Sequence, residues 1–371
     1  MKGNACNPGS KRRLDWRSKA LLSLVAFFLA LLVAFPAAEI VYRKRRLAEY
    51  DRLTRDINAR KENMFISVPD LLEYRMRPGF QTDEAYAIGS EPVVDPGAPW
   101  SWSINEHGYR GRPLAASNPN GGVRVAFLGD SITFGIGVND EAAFPALLEA
   151  SLRRETGNGG MECANLGVPE YNLQQMALLA AEKLPTLQPD LVVINVSVDD
   201  AEPEQMGAVP PQRRFANAGS WFLAEIATTL NAASGRTIVE PGTIEASPHL
   251  ERGFETGAPK AALARAALLR ITQIAAELGS RVLIVMHPDY DFTGSGDYRY
   301  DLIHEAVASW AQEARTPFVD VLKQVETASG SKRSMPEDGL WNRKALHHTI
   351  ADLLTGPIVE NLGEAGTERT Q

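Results

Sequence analysis

Residues 124–138 read Arg124-Val125-Ala126-Phe127-Leu128-Gly129-Asp130-Ser131-Ile132-Thr133-Phe134-Gly135-Ile136-Gly137-Val138. An apolar strand runs directly into Gly129-Asp130-Ser131, and a helix start follows. One serine hydroxyl is thereby presented at the carboxyl end of a strand, the end at which ligands bind in an open α/β sheet. Such a serine is a nucleophile if a base, an orienting acid and oxyanion donors surround it. It is equally well placed to cap the following helix, because serine is a favoured cap residue. This stretch alone leaves both readings open.

Working outward, apolar runs alternate with amphipathic stretches, the pattern of strands joined by crossover helices. Strands are expected at 123–128, 161–166, 191–196, 281–286 and 318–321, and helices near 142–156, 172–183, 260–278, 298–314 and 345–362. The fold class is α/β, with a mainly parallel five-stranded sheet covered on both faces. Residues 200–258 interrupt the pattern with Pro, Ala, Gly and Glu, and an insertion of that length is usually functional or mobile. It springs from a strand's carboxyl end, where it would act as a lid. Ahead of the sheet, residues 68–121 form a loop-rich lead-in that packs on the main domain and contains Asn105-Glu106-His107-Gly108-Tyr109-Arg110-Gly111. His107 lies among turn residues, where a structural or exposed role is expected.

The chain has 371 residues, 44% of them hydrophobic, enough for one large core or two smaller ones. Near its start, Ala20 to Ala38 contains no charge, a length that crosses a bilayer as a helix. Basic side chains flank this run on both sides, so the orientation signal is weak. A cleaved signal peptide is the competing reading, but Phe35-Pro36-Ala37-Ala38 fits the small-x-small cleavage pattern poorly. The expected organisation is a cytoplasmic basic tail at 1–19, an anchor at 20–42, a stalk and lead-in at 43–121, and the main domain at 122–364. Residues 1–46 carry ten basic and two acidic side chains, whereas the whole chain has a net charge of −8. The remainder is therefore strongly acidic, which disfavours nucleic acid as a partner, while the basic start suits anionic lipid headgroups. Cys6 and Cys163 would lie on opposite sides of the membrane, so neither a disulfide framework nor a cysteine metal site is expected.

The motifs together resemble the GDSL or SGNH hydrolases over about residues 124–362, in wording close to membrane-anchored bacterial members. Gly129 to Gly137 matches the family's first block, and Asn165-Leu166-Gly167-Val168-Pro169-Glu170-Tyr171-Asn172 the second. Tyr109, within Gly108-Tyr109-Arg110-Gly111, resembles the segment that precedes the first block in anchored members. The resemblance implies a three-layer α/β/α, flavodoxin-like SGNH hydrolase fold preceded by a transmembrane helix. It also implies Ser131 as nucleophile, and the N–H groups of Ser131 and Gly167 as oxyanion donors.

Two blocks depart from the family pattern. Where members carry an oxyanion-binding asparagine after the third strand, Ser197-Val198-Asp199-Asp200 places Asp199. An ionised carboxylate repels the charge it should stabilise, and loss of one such donor typically costs on the order of a hundred- to a thousandfold in rate. Asp199 donates only if kept protonated. Asn195 lies four residues back, roughly 13 Å along a strand. In the last block Asp338-Gly339-Leu340-Trp341 has tryptophan where the general-base histidine is expected, so the standard triad cannot form as written. By register His347 corresponds to the family's second, non-catalytic histidine. His347, His348 and His287 remain candidate bases, with Asp338 expected to orient His347.

No Walker loop, dinucleotide fingerprint or trusted metal-ligand spacing occurs, so no cofactor and no metal are expected. The function expected is a serine esterase, carbohydrate deacetylase or O-acyltransferase, acting on an acylated carbohydrate or small ester. It would sit at the cell inner membrane as a single-pass protein with its main domain periplasmic. The alternative of a different class is a catalytically silent relative that binds a glycan or protein partner through the old cleft.

Overall fold

The computed structural model describes residues 16–67, 72, 74–82, 101–115, 122–201, 259–290, 298, 300–329 and 343–363. The described residues fall into two units, one holding residues 16–53 and the other the remainder. Helix α1 runs from Trp16 to Met64, with Pro36 inside it and the uncharged run Ala20 to Ala38 in its first half. The segment expected as an anchor, 20–42, lies within this helix. Among the described residues, however, no helix is long and apolar enough to cross a membrane. Leu22, Phe28, Leu29, Leu31, Leu32 and Val33, all in that run, have side chains outside the described set.

The body is built on β5 (Arg124–Gly129), β6 (Glu162–Gly167), β7 (Leu191–Val196), β8 (Arg281–Met286) and β9 (Phe318–Asp320). They pair in the order β6-β5-β7-β8-β9, with every pairing parallel. All six residues of β5 and of β7 are buried, as expected where helices cover both faces. The period-2 alternation sorts the side chains between two cores. Ala126, Leu128, Val192, Ile194 and Met286 face one, and Val125, Phe127, Leu191, Val193 and Val285 face the other. Helices α4 (Leu173–Leu187), α5 (Pro259–Glu277) and α6 (Asp301–Glu313) fill the first side; α3 (Phe144–Thr156) and α8 (Arg343–Gly363) fill the second. The three-layer α/β/α arrangement with a parallel five-stranded sheet is thus present. The helix start expected after Gly129-Asp130-Ser131 is the short α2 (Ser131–Phe134), whereas α7 (Val321–Ser329) was not expected from the sequence.

Helix boundaries follow local chemistry. Asn172 caps α4 by accepting the Gln175 N–H, and the Gln175 side chain returns the bond to the Asn172 N–H. Gly157, left-handed at φ 65°, ends α3. The chain leaves interior strand β5 for edge strand β6 and re-enters on the other side of β5 as β7. The carboxyl ends of β5 and β7 therefore bracket the switch point at which ligands collect in such sheets.

The lead-in contributes two small antiparallel pairs. In one, β1 (Phe65–Ser67) pairs with β2 (Tyr74–Met76); in the other, β3 (Gln81–Thr82) pairs with β4 (Trp102–Ser103). It is core, not tether: Leu72, Met76, Trp102, Ile104, Tyr109 and Leu114 are all buried with the first cluster. A backbone bridge between Arg110 and Asn165 covers the exposed edge of β6, which blunts a template for unwanted strand pairing.

Candidate active site

Ser131 opens α2 at the carboxyl end of β5, and the cap is not Ser131 but Asp130. The Asp130 side chain accepts the Ile132 N–H at 2.9 Å, so the capping role is already filled. Ser131 is half-buried, and its hydroxyl makes no hydrogen bond among the described residues. The helix lasts one turn because Gly135 turns left-handed at φ 92°, with its N–H returning to Ser131 O.

Two glycines allow this turn to lie flat on the sheet. Gly129 and Gly167 are register partners on β5 and β6. A Cβ on Gly129 would overlap the Thr133 side chain, and one on Gly167 would overlap the backbone of Thr133 and Phe134. Gly167 was expected to donate its N–H to an oxyanion. Instead that N–H donates to Asn165 Oδ1 at 3.0 Å, while Asn165 Nδ2 donates to Phe134 O at 3.1 Å. The geometry makes Gly167 a site of close approach, with its donor engaged in the sheet rather than aimed at the cleft.

Across the switch point, the loop after β7 brings Asp199 and Asp200 to Asp130. One carboxylate oxygen of each lies within 4.8 Å of the others, with Asp130 and Asp200 buried and Asp199 half-buried. Burial, and then repulsion from Asp199, push the Asp130 carboxyl up to about 7. Asp200 Oδ2 accepts the Ser197 N–H at 2.7 Å, which fixes the turn carrying Asp199. These three oxygens are a donor set that hard cations accept, although acidic groups gather in this way without an ion as well.

Three histidines, His287, His304 and His347, make buried hydrogen bonds. His287, at the end of β8, is wholly buried: its Nε2 bonds Asn195 Oδ1 at 3.0 Å and its Nδ1 bonds the Tyr290 hydroxyl at 2.8 Å. Asn195 Nδ2 in turn donates to Leu128 O at 3.0 Å, so the imidazole braces β8 to β7 and β5. Burial, with His304 adding to it, holds His287 down to about 3, and the ring is neutral. His304 bridges Asp320 Oδ1 at 3.0 Å and the Tyr298 hydroxyl at 2.6 Å.

His347, expected as the base, lies buried in α8. Its Nδ1 accepts the Phe144 N–H at 3.3 Å, and its ring stacks on Phe144 at 6.0 Å between centroids. A neutral imidazole that accepts at Nδ1 carries its proton on Nε2. That tautomer is the reverse of what a serine base needs, a lone pair on Nε2 with Nδ1–H held by an acid. Through this bond His347 ties α8 to the start of α3. His348 is exposed on the same helix. Asp338 and Trp341 lie outside the described residues, as do residues 202–258 of the expected lid.

One residue that the motif reading passed over belongs to this neighbourhood: Arg110. Its guanidinium is buried beneath α2 and stacks over the Phe134 ring at 4.8 Å. The available signal was an arginine set among turn residues and aromatic side chains, although its partners could be identified only from the fold.

Comparison with known proteins adds the following. The sequence profile of the GDSL-like lipase/acylhydrolase family matches residues 127–349. No curated protein matches the chain. Among solved structures, similarity extends to LAE5, an alpha/beta hydrolase enzyme from the metagenome of Lake Arreo, Spain, at 17% identity and a TM-score of 0.39, covering 66% of this chain and 95% of that one. It extends also to a catalytic mutant of Axe2, an acetylxylan esterase from Geobacillus stearothermophilus, at 15% and 0.38, covering 63% and 92%. A third is the psychrotrophic esterase EstA from Pseudoalteromonas sp., at 13% and 0.38, covering 65% and 98%.

Proposed function

We propose, from the premise that this chain belongs to the GDSL-like lipase/acylhydrolase family, that it is a serine esterase or O-acyltransferase for ester-linked acyl groups. The observation that carries this reading is the Ser131 hydroxyl, which makes no hydrogen bond among the described residues, with Asp130 filling the cap that would otherwise have claimed it. Ser131 Oγ bonds to the acyl carbonyl carbon as its proton leaves to a base, and the carbonyl electron pair moves onto oxygen. The Ser131 N–H, the first amide of α2, is the donor that lies nearest this charge in sequence. Collapse of the intermediate expels the alcohol, which takes up the proton and leaves an acyl-serine. Water then releases the acid, or a sugar hydroxyl accepts the acyl group.

The substrate class is an acylated carbohydrate or a small ester. Ala20 to Ala38 would hold the protein in the inner membrane as a single span with the catalytic body outside the cytoplasm, a reading supported by 19 uncharged residues within one helix. Retention of the chain in the membrane pellet after alkaline carbonate washing checks this anchoring, and full release into the wash defeats it.

A second reading, a silent module that binds through the same cleft, is favoured by one observation. His287, His304 and His347 are all tied into structural bonds. A fluorophosphonate probe separates the two readings, since it reacts only with an activated serine. Labelling of the parent chain, lost in Ser131→Ala, is the expected result; a folded parent that does not label overturns the esterase reading.

A further inference from the structure

Helix α2 places Ser131 at its first position and has only one turn with which to hold it there. Phe134 N–H donates to Asp130 O, and Gly135 and Ile136 N–H both donate to Ser131 O. The carbonyls at the other end of the turn have no helix to continue into, and buried backbone acceptors left unpaired are costly. Phe134 O already accepts from Asn165 Nδ2 and Gly135 O from the Val138 N–H at 3.4 Å, and Arg110 adds a charged donor to each and to Val138 O. Its Nη1 donates to Phe134 O at 2.7 Å and to Gly135 O at 2.5 Å, and its Nη2 donates to Val138 O at 2.6 Å. Its Nε donates to Asp140 Oδ1 at 2.8 Å, which balances the buried charge. A Cβ on Gly135 would come within 3.0 Å of Nη1, so the left-handed glycine and the guanidinium fit one another.

This arrangement uses the planar fork of arginine. Four of its five donors, at fixed angles, reach three carbonyls and a carboxylate together, which the compact ammonium of lysine cannot do. The segment that delivers Arg110 is itself braced. Asn105 Oδ1 accepts the N–H groups of His107 and Tyr109, Tyr109 hydroxyl accepts the Leu114 N–H, and the backbone of Arg110 bridges Asn165.

We propose that Arg110 is a positioning residue for Ser131: from the lead-in, it clamps the carbonyl end of the turn that begins with the serine and so sets where the hydroxyl points. That this placement serves attack on an ester rests on the esterase reading; that Arg110 fixes the turn does not.

The test uses the full chain and the variants Arg110→Lys and Arg110→Met. Arg124→Met is the control, a buried arginine at the opposite end of the same strand. Three quantities are measured: the fluorophosphonate labelling rate, amide hydrogen exchange over residues 131–138, and the melting temperature. Both Arg110 variants should label at least tenfold more slowly and exchange at least tenfold faster over 131–138. Arg124→Met should alter neither by more than twofold, even where its melting temperature falls further. Restoration of both readouts by Arg110→Lys overturns the proposal, as does a change in the Arg110 variants no larger than in the control. Should Arg110→Met fail to fold, Arg110→Lys carries the same readouts. Absence of labelling in the parent chain removes the esterase reading alone, and hydrogen exchange then decides the role of Arg110.

Discussion

The two ends of β5 are each held by a buried arginine, and the two are used differently. At the start of the strand Arg124 meets Glu162 of β6 at 2.6 and 3.0 Å, with a further bond to Leu187 O. Most of its bonding is charge against charge, locking β5 to its neighbour. Beyond the other end, Arg110 gives one donor to Asp140 and the rest to main-chain carbonyls around the serine turn. The same residue type thus fastens the scaffold at one end and shapes a loop at the other. Stability and site geometry should therefore separate along a single strand.

Removing the ion pair at the scaffold end tests the comparison hardest. Arg124→Met leaves buried Glu162 with the longer, more exposed contact to Arg112 at 3.7 Å, and should lower the unfolding free energy by up to about 3–5 kcal/mol in denaturant titration. Adding Glu162→Gln should recover part of that loss, while labelling of the remaining folded chain stays at the parent rate. At the serine end, Gly167→Ala forces a methyl against the backbone of Thr133 and Phe134, which cannot swing aside. A loss of about 1–3 kcal/mol is expected, with labelling slowed far more than this loss of stability explains.

Asp199→Asn probes the charge at the serine end. An acid whose pKa is raised on folding stabilises the protein fully below its unfolded value, here 3.8, and loses that contribution as pH rises through about 7. Burial, the first cause, persists in the variant, but the repulsion from residue 199 is removed. The melting temperature of the variant relative to the parent should therefore rise between pH 5 and pH 8, by about 2–4 °C for each kcal/mol relieved. An unchanged difference across that range would show that Asp199 does not load Asp130. The smallest effect is expected at Asn172→Ala, where loss of the α4 cap should cost about 1 kcal/mol and leave labelling untouched.

The sheet was legible in the sequence because its signals are local. All five strands of the body fall within one or two residues of their expected bounds, because strands covered on both faces, such as β5 and β7, are largely apolar; β6, with Glu162 and Asn165, is the most polar of them. The site was legible only in outline. Whether Ser131 caps or is free depends on which oxygen the Ile132 amide meets, and the motif does not record that. The role of His347 is set by an amide 203 residues earlier, at Phe144. Gly167 lies in its block as expected, yet its N–H is claimed by Asn165 two residues away, a short-range competition that a motif match overlooks. Arg110 escaped notice because its meaning resides in three carbonyls from another segment.

The lead-in also bears on how the chain comes to be folded. Trp102 finds Phe80 already made, but synthesis delivers Arg110 before the groups it serves, since Phe134, Gly135, Val138, Asp140 and Asn165 follow later in the chain. A nascent chain that has emerged only to residue 115 therefore holds a guanidinium whose partners are still to come. Its bonds, and the Trp102 contact with Phe134, form only once β5, α2 and β6 have all left the ribosome. The serine turn is consequently completed by waiting partners, not by its own residues, and the region between Trp102 and Gly167 should gain its protection in one cooperative step.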